Sequence, residues 1–377
     1  AFRDNKYVKI NNKIKVNLYV PGYPSQAFFT ACKKVLEFEK KMPAVTVLLS
    51  VTSACRYKCP HCYQKYDKGK DMDIEILVKT VKKLQDKGVA FINIEGGEPF
   101  LVFDRLIKLC NSIDNRSEIL INSTGDGMTP DRLLALSRQD NLLGIMFSLH
   151  TAKPEELNRF MGSDKAWSNL ENGINLCHQA GIPVTFNTCL TKDAFYDGAF
   201  ENIMEKAKEF RGAILQLIKP KPAGGWLANS PGVFTGKDLE TVRQKVQAYN
   251  IKSKNKNYPF VAAMIHEEDK SLFGCTSGGT DRFYINAKGD LQPCEFLNLS
   301  FGNIQVNDFD IIYNKMREVF RVPGDCLLCE KYSGNIHELM KTYKLKVLPL
   351  SPDLSDEVYK NWERGDIPDF YKKLESL

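Results

Sequence analysis

Cys55, Cys59 and Cys62 stand in the run Cys-Arg-Tyr-Lys-Cys-Pro-His-Cys, directly after the apolar stretch Val45 to Val51. A fold that accepts this run must end a β-rich segment at a tight loop carrying three thiols. Three thiolates on one loop can hold three irons of a [4Fe–4S] cluster and leave the fourth iron without a protein ligand. Structural zinc takes four protein ligands, in CxxC pairs or with HxxxH, and the triplet fits that pattern poorly. Incidental or packing cysteines are the plain alternative.

From about Val45 onward, short β-rich runs alternate with longer amphipathic ones, the pattern of βα units around a parallel sheet. The runs Val45 to Val51, Phe91 to Glu95, Glu118 to Asn122, Gly144 to His150, Val184 to Leu190 and Ile214 to Ile218 are expected strands. Six strands suit a partial barrel. Asp73 is placed to cap a helix with the apolar face Ile74, Leu77, Val78, Val81 and Leu84, stopped by Gly88. Trp167, Leu170, Ile174 and Cys177 form a second core stripe. Cys32, Cys110, Cys177 and Cys189 have no ligand spacing and read as packing thiols.

Downstream of the triplet, the Phe91 to Glu95 strand runs into Gly96-Gly97-Glu98-Pro99. The triplet followed by this GGEP segment resembles the radical S-adenosylmethionine (SAM) enzymes. The resemblance implies a partial (βα)6, TIM-like barrel of the α/β class. It also implies a cluster whose open iron is chelated by SAM, which is cleaved reductively to a 5′-deoxyadenosyl radical. Gly96 and Gly97 then let backbone approach the methionine group, and Glu98, beside Pro99, accepts hydrogen bonds from its ammonium. The position before the third cysteine is most often aromatic in this family. Here it is His61, expected to stack on the adenine or offer it a ring nitrogen. Asn122, Ser123 and Ser148 lie at strand C-terminal ends, where barrel chemistry gathers. Relatives place a serine and an arginine against the SAM carboxylate and ribose, roles carried here to Ser148 and Arg159. Asn187 and Leu217 occupy corresponding regions of later strands.

Past the barrel, Cys275-x13-Gly289-x4-Cys294 sets a turn at Lys288-Gly289-Asp290 between two β-rich runs, and Cys326-Leu-Leu-Cys329 follows. A hairpin brings Cys275 and Cys294 towards one end, and a separate loop adds two thiols. Four thiolates can close a cluster completely, and a structural zinc is the alternative occupant. The arrangement resembles the auxiliary-cluster extension called SPASM, in its shortened Twitch form, because no later cysteines supply a second auxiliary site. The expected organisation is a cap over 1–43, the barrel over 44–235, a bridge over 236–270, a small β-hairpin/α auxiliary [4Fe–4S] domain over 271–345 and a helical tail over 346–377.

The 377 residues carry 52 basic and 46 acidic side chains, a net charge of +6. That balance suits an acidic electron donor of flavodoxin or ferredoxin type and gives nucleic acid no support. No apolar run approaches the ~18 residues of a membrane span, and no signal-peptide pattern opens the chain. Eleven cysteines with metal-type spacings point to a reducing compartment, the cytoplasm. The chain starts at Ala1, which is compatible with a trimmed leader. Three functions compete. The resemblance to Twitch enzymes favours oxidation or rearrangement of a small-molecule or carrier-linked substrate, with the auxiliary cluster as electron relay. Maturation of a ribosomal peptide, by crosslinking or epimerisation, is the second. A non-catalytic iron–sulfur carrier or sensor is the third, and it has no need of GGEP or Ser148.

Overall fold

The N-terminal residues form a hairpin, β1 (Val8–Ile10) and β2 (Lys13–Lys15), and a helix, Gln26–Leu36. The computed structural model describes residues 6–36, 44–229, 231–232, 234–321 and 323–375, so part of the expected cap and the end of the tail lie outside the described residues. Six parallel strands follow. They are β3 (Thr46–Ser50), β4 (Phe91–Glu95), β5 (Glu118–Ser123), β6 (Leu142–Ser148), β7 (Val184–Cys189) and β8 (Ile214–Ile218). Helices cover their outer face, so both faces are buried and the strands read as apolar runs. The Asp73 carboxylate accepts a hydrogen bond from Glu75 N at 2.7 Å and starts the helix Ile74–Asp86, whose Leu77, Val81 and Leu84 are buried. The Trp167 stripe faces the core from the helix Ala166–Gln179.

The sheet is longer than six strands. Phe260–Ala263 (β9), inside the expected bridge, pairs parallel to β8. Arg282–Ile285 (β10) pairs parallel to β3 and antiparallel to Leu291–Gln292 (β11), so the expected hairpin is itself an extension of the barrel sheet. Its turn holds Gly289 at φ +91°, a conformation suited to glycine. The order is β11-β10-β3-β4-β5-β6-β7-β8-β9, and β9 does not pair with β10. The barrel therefore has an open seam.

Alternation along the strands divides the side chains. Val47, Ile92, Ile119, Ile145 and Phe186 face the helices in the main core. Phe91, Leu120, Met146 and Ile214 face inward, where Ile10 and Leu18 of the N-terminal segment plug the barrel floor. Lys15 Nζ pairs with Glu118 Oε2 at 2.6 Å, with both side chains almost fully buried, and Gly22 N donates to Glu118 Oε1 at 3.2 Å. With the floor closed, the cavity lies at the C-terminal ends of the strands. Lys15→Met leaves Glu118 buried without its partner, and urea unfolding should show about 3–5 kcal/mol lost. A midpoint equal to wild type would mean that the plug does not hold the floor.

Candidate functional site

The inward positions at the strand C-terminal ends supply Glu95, Asn122, Ser148, Asn187 and Gln216, one from each of β4 to β8, and together they line a single cavity. His61, Gly96, Gly97 and Ser123 border the same cavity. Four expected residues, Glu98, Pro99, Arg159 and Leu217, do not. Leu217 is buried in the main core, because strand parity turns Gln216 and Ile218 inward and Leu217 outward. Arg159 is an exposed residue of the helix Pro154–Met161 and is not part of the lining. Cys189, expected to be a packing thiol, lines the cavity, and Cys32 is exposed on the cap helix; Cys110 and Cys177 are buried in the core.

The paired glycines have a structural cause beyond ligand access. Gly97 N donates to Thr52 O and Glu98 N to Ala54 O, each at 2.8 Å, which lays the end of β4 along the start of the cysteine loop. A Cβ on Gly97 would sit 2.1 Å from Ala54 O, and one on Gly96 would sit 2.5 Å from Thr52 O. On the far side, Gly225 N donates to Cys62 O at 2.9 Å, and a Cβ there would meet Pro60 O at 1.9 Å. Two glycine pairs therefore grip the cysteine loop. The second pair, Gly224-Gly225, reads in sequence as an ordinary turn.

Glu98 differs from its expected role. Its carboxylate is fully buried and accepts from Ser123 Oγ (2.8 Å), Phe100 N (3.1 Å), Thr124 N (2.7 Å) and Thr124 Oγ1 (2.6 Å). Four protein bonds fill its acceptor sites, so it ties the end of β4 to the end of β5 and positions both, and Pro99 continues into a short buried turn. Glu95, immediately before the glycines, is the carboxyl on the cavity. It accepts from Tyr63 Oη at 2.6 Å and Asn122 Nδ2 at 3.1 Å. Burial is the main cause that raises its pKa to about 8, with the Glu295 charge adding to the shift. A folded chain that binds this proton more tightly gains stability below the ordinary value of 4.5, and that gain is lost as pH rises through about 8. The melting temperature should therefore fall over that window, and Glu95→Gln should flatten the fall. Parallel pH profiles for the two proteins would contradict this.

His61 stacks on Phe160 (centroids 4.8 Å, interplanar 19°) and lies 5.6 Å from Trp226, with burial lowering its pKa to about 4. The buried His61 Nδ1, Asn93 Oδ1 and Asn122 Oδ1 have no hydrogen-bond partner, which leaves polar capacity for a ligand. Burial, with the neighbouring thiols adding to it, pushes Cys55 up to about 11 and Cys59 up to about 12. Such thiols become thiolates when a bound metal supplies positive charge. The donor set and the unpartnered atoms fit a cluster with SAM.

At the second set, Cys275, Cys294 and Cys329 line one small cavity with Arg282. Cys326 N donates to Arg364 O at 3.0 Å, and the Arg364 guanidinium feels the charges of both Cys275 and Cys326. Among the described residues no three His, Cys, Asp or Glu side chains converge as ligands of one metal ion. A zinc ion bonded to sulfur at about 2.3 Å demands tighter convergence than a four-iron cluster does.

A parallel barrel with a three-cysteine loop at its ligand end and four further cysteines beside it defines a class of iron–sulfur barrel enzymes. The comparisons give the family. Residues 49–207 match the radical SAM superfamily and residues 275–331 match the SPASM iron–sulfur cluster-binding domain. The GTP 3′,8-cyclase of Campylobacter curvus is 26% identical over 261 residues, covering 65% of this chain and 78% of that protein. The AdoMet-dependent heme synthase of Nitratidesulfovibrio vulgaris is 22% identical over 307 residues, covering 74% and 83%. Among solved structures, Streptococcus suis SuiB superposes with a TM-score of 0.61 at 17% identity, covering 81% of this chain and 76% of that one. The AdoMet-bound anSMEcpe gives 0.54 at 17% identity, covering 89% and 96%. The chain carries a radical SAM domain over residues 49–207 and a SPASM-type domain over residues 275–331. It is an enzyme of the class that uses SAM and [4Fe–4S] clusters. Among the described residues, no helix is long and apolar enough to cross a membrane.

Proposed function

We propose that the enzyme oxidises or rearranges a small-molecule or carrier-linked substrate, with Cys55, Cys59 and Cys62 holding the SAM cluster and Cys275, Cys294, Cys326 and Cys329 holding one auxiliary cluster. When bound, the first cluster with SAM supplies a 5′-deoxyadenosyl radical that takes a hydrogen atom from substrate, and the second supplies a one-electron sink. The observation that carries this reading is the cysteine loop gripped by Gly96-Gly97 and Gly224-Gly225 at the mouth of a cavity lined by a polar residue from each of five successive strands. Within it, Asn93 and Asn122 offer unpartnered oxygens to donors on SAM or substrate. Tyr63 and Asn122 orient the Glu95 carboxyl, and Ser148 and Asn187 present polar groups opposite. The four cysteines outside the two sets lie in the core, on the barrel cavity or on the cap helix, which supports one auxiliary cluster. An acidic flavodoxin or ferredoxin would supply the electron, and the reducing cytoplasm suits both clusters.

Two curated relatives bear the names of small-molecule activities, a GTP cyclase and a heme synthase. A second reading, peptide maturation, is favoured by the likeness to SuiB, solved with its precursor peptide SuiA. Cys294→Ala separates the proposed roles of the clusters. It should keep SAM cleavage and lose substrate conversion, with circular dichroism unchanged. A folded variant that lacks the second cluster and turns over at the wild-type rate would make that cluster structural.

A further inference from the structure

Glu95 is a buried carboxyl on the cavity at the strand ends, and its hydrogen-bond partners there are all neutral. It accepts from Tyr63 Oη at 2.6 Å, Asn122 Nδ2 at 3.1 Å and Asn93 Nδ2 at 3.4 Å. Asn93 precedes Glu95 by two residues on β4 and shares its inward face. Both amides spend their NH2 groups on Glu95 Oε2, and their oxygens, Asn93 Oδ1 and Asn122 Oδ1, are left buried without a partner. Asn93 is 1% exposed. Buried polar atoms are nearly always paired. A carboxylate and two amide oxygens on one cavity wall can only accept, so the group they call for is a donor.

The charges nearby give that donor its sign. Two lysines line the same cavity, and both are engaged by acids outside its lining. Lys219 Nζ lies 2.7 Å from Glu330 Oε1, and Lys221 Nζ lies 2.6 Å from Glu268 Oε2. The other lining acid, Glu295, is the charged neighbour that acts most strongly on Arg282. Burial holds His61 and His150 neutral. Three cations therefore answer Glu330, Glu268 and Glu295, and Glu95 is the carboxyl left over. The rings of Tyr63, Phe296 and Trp226 also line the cavity, and aromatic faces favour a cation. A primary ammonium has three N–H donors and one positive charge, which suits Glu95, Asn93 Oδ1 and Asn122 Oδ1 one for one. Its charge also draws off the Glu95 proton, against the burial that retains it.

We propose that the substrate is a small polar primary amine whose ammonium is held by Glu95, Asn93 and Asn122. This substrate class rests on the reaction proposed above and is readable without turnover. The probes are ethanolamine, its neutral isostere ethylene glycol and its trimethylated form choline, each titrated by calorimetry into cluster-loaded protein with SAM bound. Ethanolamine should occupy one site and bind roughly ten- to a hundredfold more tightly than ethylene glycol, the size of a charge-assisted hydrogen bond. Choline keeps the charge and lacks the N–H donors, so it should bind about tenfold more weakly than ethanolamine. Glu95→Gln should abolish the preference for ethanolamine over ethylene glycol. Asn93→Ala should weaken ethanolamine roughly tenfold, and both variants are read at unchanged circular dichroism and iron content. Ethanolamine that binds only without SAM would assign these acceptors to the ammonium of SAM itself and overturn the proposal. Equal affinity for ethanolamine and ethylene glycol, undiminished preference in Glu95→Gln, or no binding at all would do the same. The 5′-deoxyadenosine yield of the same preparation reads the radical reaction separately, so protein that cleaves SAM and shows no preference for the amine overturns the substrate class alone.

Discussion

Gly97→Ala should lose SAM cleavage by at least about a hundredfold, the cost of an ångström-scale misplacement in an active site. The added Cβ would sit 2.1 Å from Ala54 O and 2.5 Å from Ala54 C, and backbone atoms on both sides leave nothing flexible to move aside. The end of β4 must then part from the cysteine loop, taking the Gly97–Thr52 and Glu98–Ala54 hydrogen bonds with it. The control is Gly334→Ala in the helix Leu328–Thr342, where a Cβ meets nothing within 4 Å and alanine should gain about 0.5–1 kcal/mol. Equal activity of Gly97→Ala and wild type would show that the close approach does not position the loop.

Replacing Cys55, Cys59 and Cys62 together by alanine should lower the iron content of reconstituted protein from about eight to about four per chain, since seven thiolates hold two four-iron clusters in this account. SAM cleavage should vanish while the second cluster and its absorption remain. One equivalent of zinc with a single iron–sulfur cluster in the wild type would place zinc at the C-terminal cysteines instead.

Six strands were legible because each is a run of five to seven buried, mostly β-forming residues. The edge strand β9 has four residues, too few to announce a strand without the neighbour that pairs it, and β10 was legible as one arm of a hairpin but not as a partner of β3, a pairing that only the fold brings about. The cysteine triplet declares itself by spacing alone. Gly224-Gly225 does not, because its purpose appears only when the chain returns to Pro60 and Cys62. Leu217 was misplaced by parity: a shift of one residue exchanges the faces of a strand, and nothing in Ile214 to Ile218 except Gln216 signals which face is inward. Glu98 was recognised as important, but its four partners come from residues 100, 123 and 124, a convergence that only the fold reveals.

The central claim is that the gripped cysteine loop and its cavity perform reductive SAM cleavage. The most direct test is the yield of 5′-deoxyadenosine from anaerobically reconstituted, reduced protein supplied with SAM. The account predicts 5′-deoxyadenosine from wild type and none from the triple alanine variant at Cys55, Cys59 and Cys62. Protein that carries both clusters, binds SAM and yields no 5′-deoxyadenosine under reduction would contradict it.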